Sequence, residues 1–244
     1  SAVFFLLFGV LFGIGLAFIA EKLDTRIHDQ ESAEKVTGLV TMGIIHEIDE
    51  DDPKVIEIDD QKSQLVERFR VLRNNISFSA LDRQIRSIAI TSAAPAEGKS
   101  TSSTNLGIVM AMDGKRVIIV DCDLHRPSQH NQLNASREVG LTNVIMGSAS
   151  IQEAVVATQY AGLDFLSTGI LPSNPSEVLN SQPARKLFAE LSEMYDIVIL
   201  DCPPCVKLSD VQIISTIVDG MLIVVSTNKT SREGLVYSYR ALTQ

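Results

Sequence analysis

Three stretches of this sequence carry residue types suited to phosphate chemistry. The first is Ala93-Ala94-Pro95-Ala96-Glu97-Gly98-Lys99-Ser100-Thr101. Small residues there let backbone N–H groups wrap phosphate oxygens, and a helix opening at the end of the loop presents its positive N-terminus to them. Lys99 then bridges the outer phosphates, and the Ser100 hydroxyl ligates magnesium. This is a Walker A loop with Ala93 in the first glycine position. The second stretch is Asp121-Cys122-Asp123-Leu124-His125-Arg126-Pro127. Its two carboxylates at alternate positions could both face a metal–phosphate centre, or one could face the metal and the other a substrate hydroxyl. The third, Asp201-Cys202-Pro203-Pro204, reads as a Walker B: an apolar strand delivering one carboxylate to the magnesium shell.

Elements that could position these groups are visible in the hydrophobic pattern. Short apolar runs rich in β-branched residues occur at 88–90, 117–120, 163–166, 197–200 and 221–225. Segments with helical spacing lie between them, at 106–112, 184–194 and 211–218. Buried strands alternating with helices predict an α/β, P-loop NTPase-like fold, with a mostly parallel sheet covered by helices on both faces. Ligands bind at the carboxyl ends of such strands. Each of the three reactive stretches directly follows an apolar run.

Composition narrows the function classes. The chain has 244 residues and a net charge of −9, so nothing points to nucleic acid as a partner. Three cysteines, Cys122, Cys202 and Cys205, are too few and too odd a number for a disulfide framework, and they fit a reducing cytosol. Cys202-Pro203-Pro204-Cys205 matches a C-x-x-C pattern, but the Pro-Pro pair blocks a helix from starting at Cys202, and no His has the spacing to complete a zinc site. Residues 2–20 contain no charge; nineteen residues span about 28 Å at a helical rise, close to a bilayer's hydrocarbon core. The division expected is a transmembrane helix at 1–20, a polar juxtamembrane linker at 21–60, and a soluble domain at 61–244. Gly9 and Gly13 form a G-x-x-x-G pair that would let two membrane helices approach. The chain starts without Met inside an apolar run, as a piece of a longer protein does.

In this order the motifs resemble those of the bacterial tyrosine kinase family of the polysaccharide co-polymerase machinery. Residues 93–100 look like its Walker A loop, Asp121-x-Asp123-x-x-Arg126-Pro127 is similar to its Walker A′ motif, and Asp201-Cys202-Pro203-Pro204 to its Walker B. Leu171-Pro172-Ser173-Asn174-Pro175-Ser176-Glu177 resembles a further family signature. Glu67-x-x-Arg70-x-x-Arg73 is similar to a motif that packs against a neighbouring subunit, and its spacing puts the three residues on one helix face.

The resemblance implies ATP and Mg2+ as cofactors, with Lys99, Ser100, Asp123 and Asp201 around the phosphates and Ser100, Asp123 and Asp201 at the metal. Ala96, Glu97, Gly98, Thr101 and Arg126 would complete the nucleotide site. Asp121 would be the general base for a tyrosine hydroxyl, whose pKa near 10 makes proton removal demanding. The resemblance also implies a ring-like homo-oligomer whose subunits phosphorylate one another's tyrosine-rich C-terminal tails or other proteins. The expected location is the bacterial inner membrane, with the kinase domain in the cytoplasm and exopolysaccharide or capsule export as its process. The four tyrosines, Tyr160, Tyr195, Tyr237 and Tyr239, form no tail cluster, which fits a C-terminal end cut short or a protein that has lost its own acceptor and acts on another. The competing reading is an ATPase switch of the MinD/ParA type. Such switches carry a signature lysine near the start of the loop, where this chain has Ala94. A third reading is a nucleotide-binding scaffold with little turnover.

Overall fold

The computed structural model describes residues 5, 8–9, 11–15, 18, 24–46, 48, 53–59, 62–79, 84–205 and 209–243. The strands are β1 (Ser87–Ser92), β2 (Val117–Asp121), β3 (Val155–Ala157), β4 (Leu163–Leu166), β5 (Ile197–Asp201) and β6 (Gly220–Val224). They form one sheet in the order β3-β4-β2-β5-β1-β6. Every neighbouring pair is parallel except β3 and β4 at one edge.

Successive side chains on a strand point to opposite faces, so each strand feeds two cores. Ile118, Val120, Val198 and Leu200 face one core, where helix Gln182–Met194 contributes Ala184, Leu187, Phe188 and Leu191. Val117, Ile119, Ile88, Ile90 and Ile199 face the other, beneath helix Lys99–Met112. That helix is buried along nearly its whole length because helix Gln64–Phe78 covers it with Val66, Phe69 and Ile76. Gly107 permits the close approach to the sheet: a Cβ there would sit 2.8 Å from Ile119 Cδ1.

The five apolar runs all lie within or across strands. β3 was not expected; its three residues at an exposed edge give too short a run to stand out. The helix expected over 211–218 ends at Ser215, yet Ile217 and Val218 still pack on the core, which is why the apolar pattern outlasts the helix. In the 21–60 segment, helix Gln30–Thr37 opens with a capping box between Asp29 and Ser32. Ile27 is fully buried, and its N–H donates to the Thr230 carbonyl at 2.8 Å. Ile56, also buried, donates to Asn105 Oδ1 at 2.9 Å and accepts from the Tyr160 hydroxyl at 2.7 Å. The segment thus docks on the domain at two points. The membrane helix expected at 1–20 lies largely outside the described residues; Phe5, Phe8, Leu11, Phe12, Ile14 and Phe18 are helical and exposed. Among the described residues, no helix is long and apolar enough to cross a membrane.

Candidate active site

β1 delivers the chain into the 93–98 loop, which turns through positive φ at Ala96 (62°) and Gly98 (90°). A glycine tolerates that conformation, and it lets helix Lys99–Met112 start without a side-chain cap. The first N–H groups of this helix therefore point out of an uncapped end, as a phosphate site requires. Glu97 is buried, and its side chain closes the loop. It accepts from Ala94 N–H at 2.9 Å and from the Thr230 hydroxyl at 2.6 Å. Its carboxylate is thus taken up within the protein, leaving its backbone N–H to serve a ligand, as the sequence reading expected of this loop.

The parallel register sets Asp121 of β2 abreast of Asp201 of β5. Lys99 Nζ lies 3.1 Å from Asp123 Oδ2 and 3.7 Å from Asp201 Oδ2, and donates to Ser100 Oγ at 3.1 Å. Asp123 Oδ1 accepts the backbone N–H groups of His125 (3.3 Å) and Arg126 (2.9 Å). Asp121 accepts those of Asp123 (3.1 Å) and Gln129 (3.3 Å). Ser103 donates to Asp201 Oδ1 at 3.2 Å, whereas Asp201 Oδ2 is buried with no hydrogen-bond partner.

Three carboxylates around one lysine make the cluster electrostatically incomplete. Burial, then the Asp201 charge, pushes the Asp121 carboxyl up to about 8. Burial also raises Asp201, with Lys99 opposing it. For Lys99, burial works against its charge, but Asp201 and Asp123 outweigh that and raise it. A further cation would complete the cluster. Ser100 Oγ, an Asp123 oxygen and Asp201 Oδ2, which no hydrogen-bond donor reaches, are the hard oxygen donors that magnesium takes. Among the described residues no group of three or more His, Cys, Asp or Glu forms a metal cage. Magnesium at phosphates does not need one, since it uses one or two carboxylates with phosphate and water oxygens.

The sequence-predicted residues converge with two exceptions of degree. Lys99, Ser100, Asp121, Asp123 and Asp201 meet in one cluster, and Ala96, Gly98 and Thr101 belong to the adjoining loop and first helical turn. Arg126 is exposed, and its contact with the cluster is its backbone N–H. Glu97 faces inward, as described. Sequence reading missed Gln129, fully buried, whose Nε2 donates to the Ser100 carbonyl at 3.0 Å and whose Oε1 accepts from Thr104 at 2.7 Å. It also missed Asp210, which meets His125 beside the cluster. Neither residue belongs to a spaced motif.

Residues 85–243 match the AAA domain family. Tyrosine-protein kinase YwqD of Bacillus subtilis is 40% identical over 188 residues, covering 77% of this chain and 79% of that protein. The structure of the chimerical protein CapA2B2 superposes with a TM-score of 0.83 at 31% identity, over 88% of this chain and 93% of the other. The kinase domain of the Escherichia coli tyrosine kinase ETK gives 0.82 at 26% identity, over 89% of each chain. The chain belongs to the bacterial tyrosine kinase family.

Two further features of this family member bear on its site and surface. Cys122, Cys202 and Cys205 are free and buried. Burial above all pushes the Cys122 and Cys202 thiols well above their ordinary range, which suppresses the reactive thiolate. On helix Gln64–Phe78, Glu67 and Arg70 pair with each other. Arg73 instead turns back onto its own chain, 3.3 Å from Asp113 and 3.4 Å from the Val109 carbonyl. All three residues expected at a subunit interface thus have partners inside their own subunit, and Arg73 alone of them reaches beyond its own helix.

Proposed function

We propose that this chain is an ATP- and magnesium-dependent protein-tyrosine kinase. The carrying observation is the cluster of Lys99, Asp121, Asp123 and Asp201 at adjacent strand ends. The uncapped helix start and Lys99 hold the nucleotide phosphates, and Ser100, Asp123 and Asp201 hold the metal. Bound magnesium would neutralise charge on the β- and γ-phosphates. The tyrosine oxygen attacks the γ-phosphorus, the bond to the β–γ bridging oxygen breaks, and ADP leaves with that electron pair. The tyrosine proton passes to an Asp121 carboxylate oxygen. Asp121 must be ionised to accept that proton, a state the Lys99 charge favours.

The remaining parts of the reading rest on the family. Residues 1–20 form the membrane helix that holds the kinase domain at the cytoplasmic face of the inner membrane. Subunits assemble through the face of helix Gln64–Phe78 that carries Glu67 and Arg70, and they phosphorylate tyrosine-rich tails in trans. The process served is exopolysaccharide or capsule polymerisation and export. Arg70→Ala with Arg73→Ala should weaken assembly, and unchanged sedimentation removes that role.

The kinase reading is tested by following the phosphate. Terminally labelled ATP and magnesium are given to the chain with and without a tyrosine-rich peptide, beside Lys99→Met. Label on tyrosine, lost in the variant, is the expected result. Label released only as free phosphate favours an ATPase switch and overturns the kinase reading.

A further inference from the structure

Asp210 opens helix Asp210–Ser215 and is fully buried. A buried carboxylate is costly unless donors surround it. Asp210 finds them on two distant segments. His125 places Nε2 2.8 Å from Asp210 Oδ2, and the Ser176 hydroxyl donates to Asp210 Oδ1. Ser176 Oγ also lies 2.9 Å from Ser209 Oγ.

Each contact reaches something next to the reactive cluster. His125 follows Asp123 by two residues, and its backbone N–H donates to Asp123 Oδ1. Ring and backbone of His125 therefore link Asp210 to a carboxylate that itself contacts Lys99. Ser176 lies in the 171–177 segment, a motif for which the roles above have no use, and opens helix Pro175–Leu179 at its second residue. One buried carboxylate thus joins the Asp121–Asp123 loop, the 171–177 segment and the start of a third element.

We propose that Asp210 is a positioning residue for phosphoryl transfer. Through His125 it fixes the loop that carries Asp121 and Asp123, and through Ser176 it fixes the 171–177 segment against that loop. The inference rests on the kinase reading, because it is transfer geometry that the clamp maintains. Phosphoryl transfer depends on placement and preorganised charge, and a displacement of about 1 Å can cost about 100-fold in rate. Lys99, Ser100 and the helix start stand outside the clamp, so most nucleotide affinity survives its loss.

The test uses the full chain with Asp210→Asn, His125→Ala and the double variant. Three quantities are measured: the rate of transfer to a tyrosine peptide at saturating magnesium–ATP, the affinity for magnesium–ADP, and the melting temperature. Each single variant should lower kcat by about 10- to 100-fold, the usual cost of removing a partner that orients a site ligand. ADP affinity should stay within about threefold, and the double variant should be no slower than the slower single, since His125→Ala removes a link that Asp210→Asn already disturbs. A kcat within about twofold of wild type overturns the proposal. So does a fall in ADP affinity as large as the fall in rate, or a double variant whose losses multiply. His125→Ala, at a partly exposed side chain, keeps the test decisive if Asp210→Asn does not fold. If wild type releases phosphate without labelling the peptide, the kinase reading fails instead. The same comparison made on phosphate release then decides the positioning role separately.

Discussion

At the amino ends of the sheet, Asp219 accepts from the Arg86 and Ser87 N–H groups, each at 2.9 Å, and from the Ser87 hydroxyl at 3.0 Å. Beside it, Asp196 accepts from the Arg116 N–H at 2.9 Å and pairs with its guanidinium at 3.1 Å, and the Arg116 side chain holds that carboxyl below its usual range. At the carboxyl ends of the same strands, Asp121, Asp123 and Asp201 are nearly or fully buried, Asp123 and Asp201 share Lys99, and Asp201 Oδ2 has no hydrogen-bond partner. The residue type is the same at both ends, and the surroundings differ. Well-supplied carboxylates pin strand starts together. At the carboxyl end Asp201 Oδ2 is left short of a donor, the state of a group that a further cation would complete. Incomplete satisfaction of a buried polar cluster is thus what separates the working end of this sheet from the structural one.

The comparison can be broken at either end. The largest effect should come from Lys99→Met, which removes the cluster's lysine: tyrosine labelling should fall by about 1,000-fold or more, and retained labelling would break the assignment outright. Next, Asp121→Asn should lower transfer by about 100-fold or more while magnesium–ADP affinity stays within about threefold. Loss of affinity instead would move Asp121 from base to metal shell. At the structural end, Asp219→Ala leaves strand-start donors unpaired and should cost about 1–3 kcal/mol in denaturant unfolding. Its transfer rate per folded molecule should not change. A smaller effect is on pH. Asp121 binds its proton more tightly when folded (about 8) than its ordinary 3.8. The folded form therefore holds more protons between about pH 4 and 8, and stability without nucleotide should fall as pH rises through that window. The melting temperature of Asp121→Asn should depend less on pH there; an identical slope would show that Asp121 does not titrate in this range.

Much of the working end was legible in sequence because its groups sit at fixed offsets from strand ends. The 93–100 loop, Asp121, Asp123 and Asp201 each follow an apolar run, and strand direction alone brings them together. What was illegible depends on contacts between distant segments. Nothing local marks Asp210 as the partner of His125, 85 residues away, or Ile27 and Ile56 as anchors of an otherwise polar stretch. Spacing placed Glu97 in the loop but could not show its carboxylate turning to Thr230, 133 residues on. For Arg73, helical periodicity gave the right face, yet a long side chain can reach Asp113 across to helix Lys99–Met112. Periodicity reports which way a residue leaves the backbone, not where a flexible chain ends.

The central claim is that the carboxyl-end cluster gives up stability for chemistry, and Asp121→Asn tests it most directly. Wild type and variant would be melted without nucleotide at about pH 8.5, and single-turnover transfer to a tyrosine peptide measured on the same samples. The account predicts a variant that melts higher than wild type, with transfer nearly abolished. A variant that melts lower than wild type, or still transfers phosphate at the wild-type rate, would contradict it.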